Sequence, residues 1–224
     1  MDQQRSAGLR RRRMAGQSMI ELIIVAPLVF FFILVTIQFV ILYRIKATLD
    51  YATFEAARAG AVNGADKDAM RQGLAKGLVP LYTTGKSITD LELAYGKAWI
   101  AVRNPLVTSI EVISPTRAAF NDHRERQWNG RYAIPNDNLA FRARTIKGSG
   151  VNVQDANILK IKVTYNVPLV VPFVGLVLRG NSAFLKAGMF EPSPVNRFTG
   201  RLPIESSAIV RMQSPIYDQT VLAP

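Results

Sequence analysis

The chain has 224 residues, with 28 Lys and Arg against 16 Asp and Glu, a formal net charge of +12, no cysteine and one histidine. The lack of thiols excludes a disulfide framework and cysteine chemistry, and a lone histidine excludes a multi-histidine metal centre. A positive balance draws a protein toward anionic lipid, acidic polysaccharide or nucleic acid, and by itself selects none of them.

The first element, residues 1–16, is a basic leader in which Arg5 and Arg10, Arg11, Arg12 and Arg13 are set against Asp2 alone. From Leu22 to Leu42 run 21 residues interrupted only by Pro27, Thr36 and Gln38. A bilayer core takes roughly 20 apolar residues at about 1.5 Å each, so the run is long enough to span. A removable secretory signal has an apolar region of about 7–15 residues and a small-x-small cleavage site. Here the run is longer and passes into Leu42-Tyr43-Arg44-Ile45-Lys46. The segment is therefore expected to be retained, and its length also argues against a twin-arginine export signal. Basic excess belongs on the cytoplasmic side, which keeps the N-terminus inside and exports the rest, with Tyr43 at the outer interface. Without the leader, which holds +4 of the charge, the remainder carries +8.

Glu21 lies at the start of the run. A carboxylate at the centre of a spanning helix costs about 2.5–3.5 kcal/mol on insertion scales, and less near the interface. Either cytoplasmic headgroups wet it, or another subunit supplies a cation. A cut after Gly16 would create such a cation on the α-amino group of Gln17, four residues before Glu21. In a low-dielectric assembly that amine on one protomer would neutralise the carboxylate of the next. Pro27 cannot donate to the helical ladder. It either kinks the helix or loosens a segment so that packed helices can adjust.

Beyond the span the helix continues, because Ile45, Leu49, Ala52, Ala56 and Ala59 step by four, three, four and three. Asn63-Gly64 reads as its stop. From Gln17 to about Ala61 such a helix is roughly 65 Å long, about twice the hydrocarbon thickness, so its outer half must pack on an exported domain. Asp66 caps a second helix running through Met70 and Leu74 toward Leu78, before Pro80. Leu91 to Val102 is ambiguous between helix and strand. Leu159 to Val167 alternates apolar and polar residues and is the clearest strand, with weaker candidates at Leu106 to Ile113 and Ile204 to Met212. Pro168 to Leu178 is apolar but too short and proline-broken to span again, so it turns into the core or rests near the outer leaflet. Residues 114–157 and 189–203 read as loops. Helix first and sheet later predict an α+β fold: a long N-terminal transmembrane helix continuing into an exported domain with an antiparallel sheet. The expected boundaries are a leader at 1–16, the helix and its periplasmic extension at 17–62, and the exported domain at 63–224.

Gly16-Gln-Ser-Met-Ile-Glu21, the apolar helix and Phe54-Glu-Ala-Ala-Arg-Ala-Gly-Ala61 occur in this order. Together they resemble the TadE-like family, the minor pilins or pseudopilins of the tight-adherence (Flp) pilus system, with a type IV pilin-like N-terminus. The resemblance is tightest over residues 10–62, and one departure is Leu22, where Flp-type precursors usually place an aromatic. It implies that a prepilin peptidase cuts between Gly16 and Gln17 and that Glu21 serves processing or assembly. The partners it implies are other major and minor pilins, the peptidase and an inner-membrane pilus assembly platform. The implied location is the inner membrane, single-pass, with a periplasmic C-terminal domain that can enter the extracellular pilus and serve cell adhesion.

Motifs for catalysis are missing. Asp122-His123 is a weak pair expected to be solvated, Gly148-Ser-Gly150 lacks the context of a phosphate loop, and Ser206 and Ser207 lack a nucleophile elbow. No enzyme activity, cofactor or metal is expected. Arg117, Arg124, Arg126 and Arg131 interleave with Phe120, Trp128 and Tyr132, followed by Phe141-Arg-Ala-Arg144 and Lys147. This cluster reads first as a solvated loop or subunit contact, and secondarily as a platform for single-stranded nucleic acid or acidic glycan. Nucleic acid is not the expected partner. Two other functions stand beside the pilin reading: a membrane-anchored envelope protein outside any pilus, and an adhesive or nucleic-acid-binding module carried on one.

Overall fold

The computed structural model describes residues 3–170 and 201–224. Its dominant element is a single helix, α1 (Gln3–Val62), with Pro27 inside it. Threonines within the helix return their hydroxyls to its own carbonyls: Thr36 donates to Phe32 O at 2.9 Å and Thr53 to Leu49 O at 2.7 Å. The helix stops where expected. Asn63 donates from its side chain to Ala59 O, and Gly64 and Ala65 both take positive φ, 65° and 62°. That reversal is easy for glycine and strained for alanine.

Asp66 then caps α2 (Lys67–Tyr82) by accepting from Ala69 N at 2.8 Å. The two helices form an antiparallel hairpin built on small residues. A Cβ on Gly77 would stand 2.4 Å from Ala52 Cα, and one on Gly73 2.8 Å from Glu55 O. Backbones approach that closely only where side chains are lacking. The stripe expected on α1 is the seam: Leu49, Ala52 and Ala56 are fully buried against Met70, Leu74 and Leu78. Contrary to expectation, α2 continues past Pro80 to Tyr82. In the last turn a proline forfeits one ladder bond rather than breaking a helix interior.

The ambiguous stretch is a helix, α3 (Ile88–Arg103), whose Asp90 carboxylate accepts the Ser87 N–H at 3.2 Å. Ala94, Ala98 and Val102 form its buried stripe. The sheet consists of β1 (Thr108–Ser114), β4 (Ile158–Pro168) and β5 (Arg201–Arg211), antiparallel in the order β1-β4-β5. Ile110 faces Val163, and Val163 faces Ser206 across the next ladder. β4 buries every second residue, Leu159, Ile161, Val163, Tyr165 and Val167, on the face packed by the helical hairpin. The described residues therefore form the predicted α+β architecture, a long apolar N-terminal helix with a C-terminal antiparallel sheet.

Residues 114–157 hold more structure than a loop. They include α4 (Arg117–His123), a small hairpin of β2 (Glu125–Arg126) and β3 (Tyr132–Ala133), and a single 3-10 turn at Asp155–Asn157. His123 is not solvated. It is 5% exposed, and its Nε2 lies 3.0 Å from Val151 O, so that nitrogen carries the proton and donates. Residues 201–203, expected in a loop, open β5, whereas 171–178 and 189–200 lie outside the described residues.

Candidate functional site

Among the described residues the distinguishing surface is the apolar run of α1, residues 22–42. Leu22, Ile23, Ile24, Phe30 and Val40 are each more than 60% exposed. At roughly 25 cal/mol per Å², so much apolar area in water would be strongly unfavourable, so it calls for lipid or other apolar helices. Among the described residues, Glu21–Val62 is the one helix long and apolar enough to cross a membrane. That is consistent with a single-pass anchor.

Moving along α1, exposure changes to burial in stripes rather than at a sharp boundary. Gln38 and Leu42 are already buried, and Leu49, Ala52 and Ala56 continue the same face. Tyr43, by contrast, points outward at 77% exposure. Four residues past Leu42 the helix is fastened to the sheet. Lys46 Nζ bonds Asp50 Oδ1 at 2.5 Å and Glu205 O at 2.7 Å, while Ser206 Oγ donates to the same Asp50 oxygen at 2.7 Å. No sequence pattern pointed to this knot, because its two halves lie more than 150 residues apart.

All four residues singled out in the sequence, Gly16, Gln17, Glu21 and Pro27, lie on α1. In helical geometry Gln17 and Glu21 are one turn apart, about 6 Å along the axis and on one face. Glu21 is exposed at the beginning of the apolar run. The Phe54–Ala61 stretch lies in the packed half of α1. Ala56, Ala57 and Ala61 are buried, Gly60 leaves room for Met70, and Arg58 pairs outward with Glu55 at 3.1 Å. Small residues there are what the hairpin and sheet require.

The basic-aromatic cluster does not assemble as one platform. Phe120 is a core residue, 1% exposed. Arg124 stacks on Tyr132 and Arg131 on Tyr217, with guanidinium-to-ring distances of 5.4 and 4.9 Å. Arg142 bonds Glu125 at 2.7 Å and Asp137 at 3.1 Å. Trp128 and Phe141 are left almost wholly exposed, at 95% and 91%. Nearby, Gly148-Ser-Gly150 is a turn, with Gly150 at φ 77° and its N–H on Lys147 O. That turn presents Ser149 N to Asp122 at 2.6 Å, and the nearness of Ser149, side chain first and then backbone, holds the Asp122 carboxyl below its usual range. Among the described residues no group of His, Cys, Asp and Glu could hold a metal ion.

The family model described as TadE-like protein matches residues 16–58. No curated protein and no solved structure matches the chain. The family match begins at Gly16, takes in Glu21, Pro27 and the apolar run, and ends inside the packed half of α1. Over residues 16–58 the chain is similar to TadE-like proteins, which is consistent with a protein associated with the tight-adherence pilus system.

Proposed function

We propose that this chain is a minor pilin or pseudopilin that takes part in starting or capping a tight-adherence pilus. The observation carrying this reading is one continuous helix, TadE-like over residues 16–58, that combines an exposed apolar run with a carboxylate at its start. The chain waits in the inner membrane with residues 1–16 in the cytoplasm and the domain of residues 63–224 in the periplasm. A prepilin peptidase cuts between Gly16 and Gln17. The new Gln17 amine then meets Glu21 of a neighbouring pilin as the helices leave lipid for the filament, where a paired carboxylate is tolerated and a lone one is not. Pro27 removes one ladder bond and lets the helix adjust as it packs. Major and minor pilins and the inner-membrane assembly platform are the partners in this scheme. The role is structural and uses no cofactor.

The test replaces Glu21 by Ala in the natural host. Membrane insertion should be normal, pili should be lost or sharply reduced, and the mass of the wild-type protein should correspond to a chain beginning at Gln17. Unchanged piliation with an untrimmed chain would leave a plain envelope anchor instead.

A further inference from the structure

Far from the apolar run, at the other end of the helical hairpin, three cations surround a small cleft of about 200 Å³. Lys67 and Arg71 come from the first turns of α2, Arg103 from the last turn of α3, and Thr108 and Ser109 from the start of β1. Thr108 is only 4% exposed, and its hydroxyl has no hydrogen-bond partner among the described residues. Its backbone N–H is already engaged, donating to Asn104 O at 3.0 Å to form the turn between α3 and β1. A buried hydroxyl without a partner is uncommon enough to need a reason.

The cations are available. Among the described residues neither Lys67 nor Arg103 makes a salt bridge, although the Asp218 carboxylate feels Lys67 at longer range, and the Arg103 guanidinium lies over Trp99, 4.9 Å from the ring centroid. Arg71 pairs with Asp68 at 2.9 Å, with both side chains substantially exposed, an arrangement that competes weakly with a better ligand. Three cations against the paired Asp68, with Asp218 acting on Lys67 from farther off, leave a positive surplus that suits an oxyanion. Guanidinium edges and hydroxyls are the donors that oxyanions accept from.

The location limits the source of that anion. Val62 stands twenty residues beyond Leu42 along α1, so the cleft is about 30 Å out from the end of the apolar run. Headgroups of a bilayer holding that run are out of reach. The volume is also below the roughly 300–1,000 Å³ of sites for drug-sized ligands, so the cleft suits one compact group. We propose that the cleft between α2, α3 and β1 binds the phosphate or carboxylate of a small soluble molecule, held by Lys67, Arg71 and Arg103 with the Thr108 hydroxyl as the buried donor.

The probes are inorganic phosphate, glucose 6-phosphate and glucuronate, with glucose as the neutral control, titrated into the full chain in detergent micelles at low ionic strength. At least one of the three anions should saturate while glucose does not; phosphate against glucuronate then tells which oxyanion is read. Lys67→Ala and Arg103→Ala should each weaken binding about tenfold or more. Thr108→Val should also weaken it, with no fall in Tm, because it removes an unsatisfied hydroxyl at nearly constant volume. Lack of saturation by every anion overturns the proposal. So does an affinity unchanged in the Lys67→Ala/Arg103→Ala double variant. Saturation only by an acidic peptide, or only by anionic vesicles, would likewise overturn it in favour of a protein or lipid partner.

Discussion

The hydroxyls of Tyr82, at the end of α2, and Tyr165, in the middle of the sheet on β4, meet at 2.5 Å. Burial pushes the Tyr165 phenol above its ordinary range, and the bond with Tyr82 adds to the effect. A raised folded-state value means that the neutral phenol stabilises the fold. The contribution is complete below the unfolded value of about 10 and is lost as pH rises beyond it. Thermal melts should therefore decline above about pH 10, and Tyr165→Phe should flatten that decline while costing about 0.5–1.5 kcal/mol at neutral pH. An alkaline profile identical in the variant would show that this pair does not govern it.

Two glycines give opposite expectations. At Gly77 the added methyl of Gly77→Ala meets the Ala52 backbone, so α1 and α2 must separate. The overpacking cost of about 1–3 kcal/mol should exceed the helix-propensity gain of about 1 kcal/mol. At Gly96 none of the described residues lies within 4 Å of a new methyl, and Gly96→Ala should stabilise by roughly 0.5–1 kcal/mol. Urea melts of both variants check the pair, and a stable Gly77→Ala protein would contradict the packing described for the hairpin.

The knot on α1 should divide unequally. Lys46 and Asp50 are about half exposed, so Lys46→Ala should cost no more than about 1 kcal/mol. Asp50→Ala strands the Ser206 hydroxyl on a residue only 4% exposed, and should cost about 1–3 kcal/mol. A double-mutant cycle with Ser206→Ala measures the coupling directly; independent effects would mean that the two residues do not support each other.

Asp122 offers an acid-side counterpart. Its value is depressed, first by the Ser149 side chain and then by the Ser149 backbone. Whatever stability this gives is present at neutral pH and fades as pH falls through the depressed value. Asp122→Asn should reduce the acid sensitivity of the turn at 147–150, read as amide exchange at Ser149. Equal exchange in both proteins down to pH 3 would remove Asp122 as the cause.

What could be read from the sequence had long periods or local chemistry behind it. The α1 stripe runs for four turns, β4 alternates over nine residues, and Asp66 caps through a bond three residues away. Leu91 to Val102 stayed ambiguous because Leu, Tyr and Trp suit strands as well as helices, and its buried stripe is mostly alanine. α4 spans seven residues, too few to show a period, so nothing local announced that Phe120 and His123 face inward. His123 is settled by Val151, 28 residues on. The apolar run and its acid were visible for the same reason as α1 itself. The Asp50–Ser206 bond and the cleft at Thr108 depend on residues the chain brings together only when folded.

Because Asp50 grips β5 directly and glycines clamp α2 against the same rod, the greasy stretch of α1 beyond Pro27 runs into the folded body as unbroken helix. Beyond Pro27, a tug or twist on the rod is delivered to the sheet through its grip on β5. The body is carried the way a blade is carried on its tang, its heading set by the shaft.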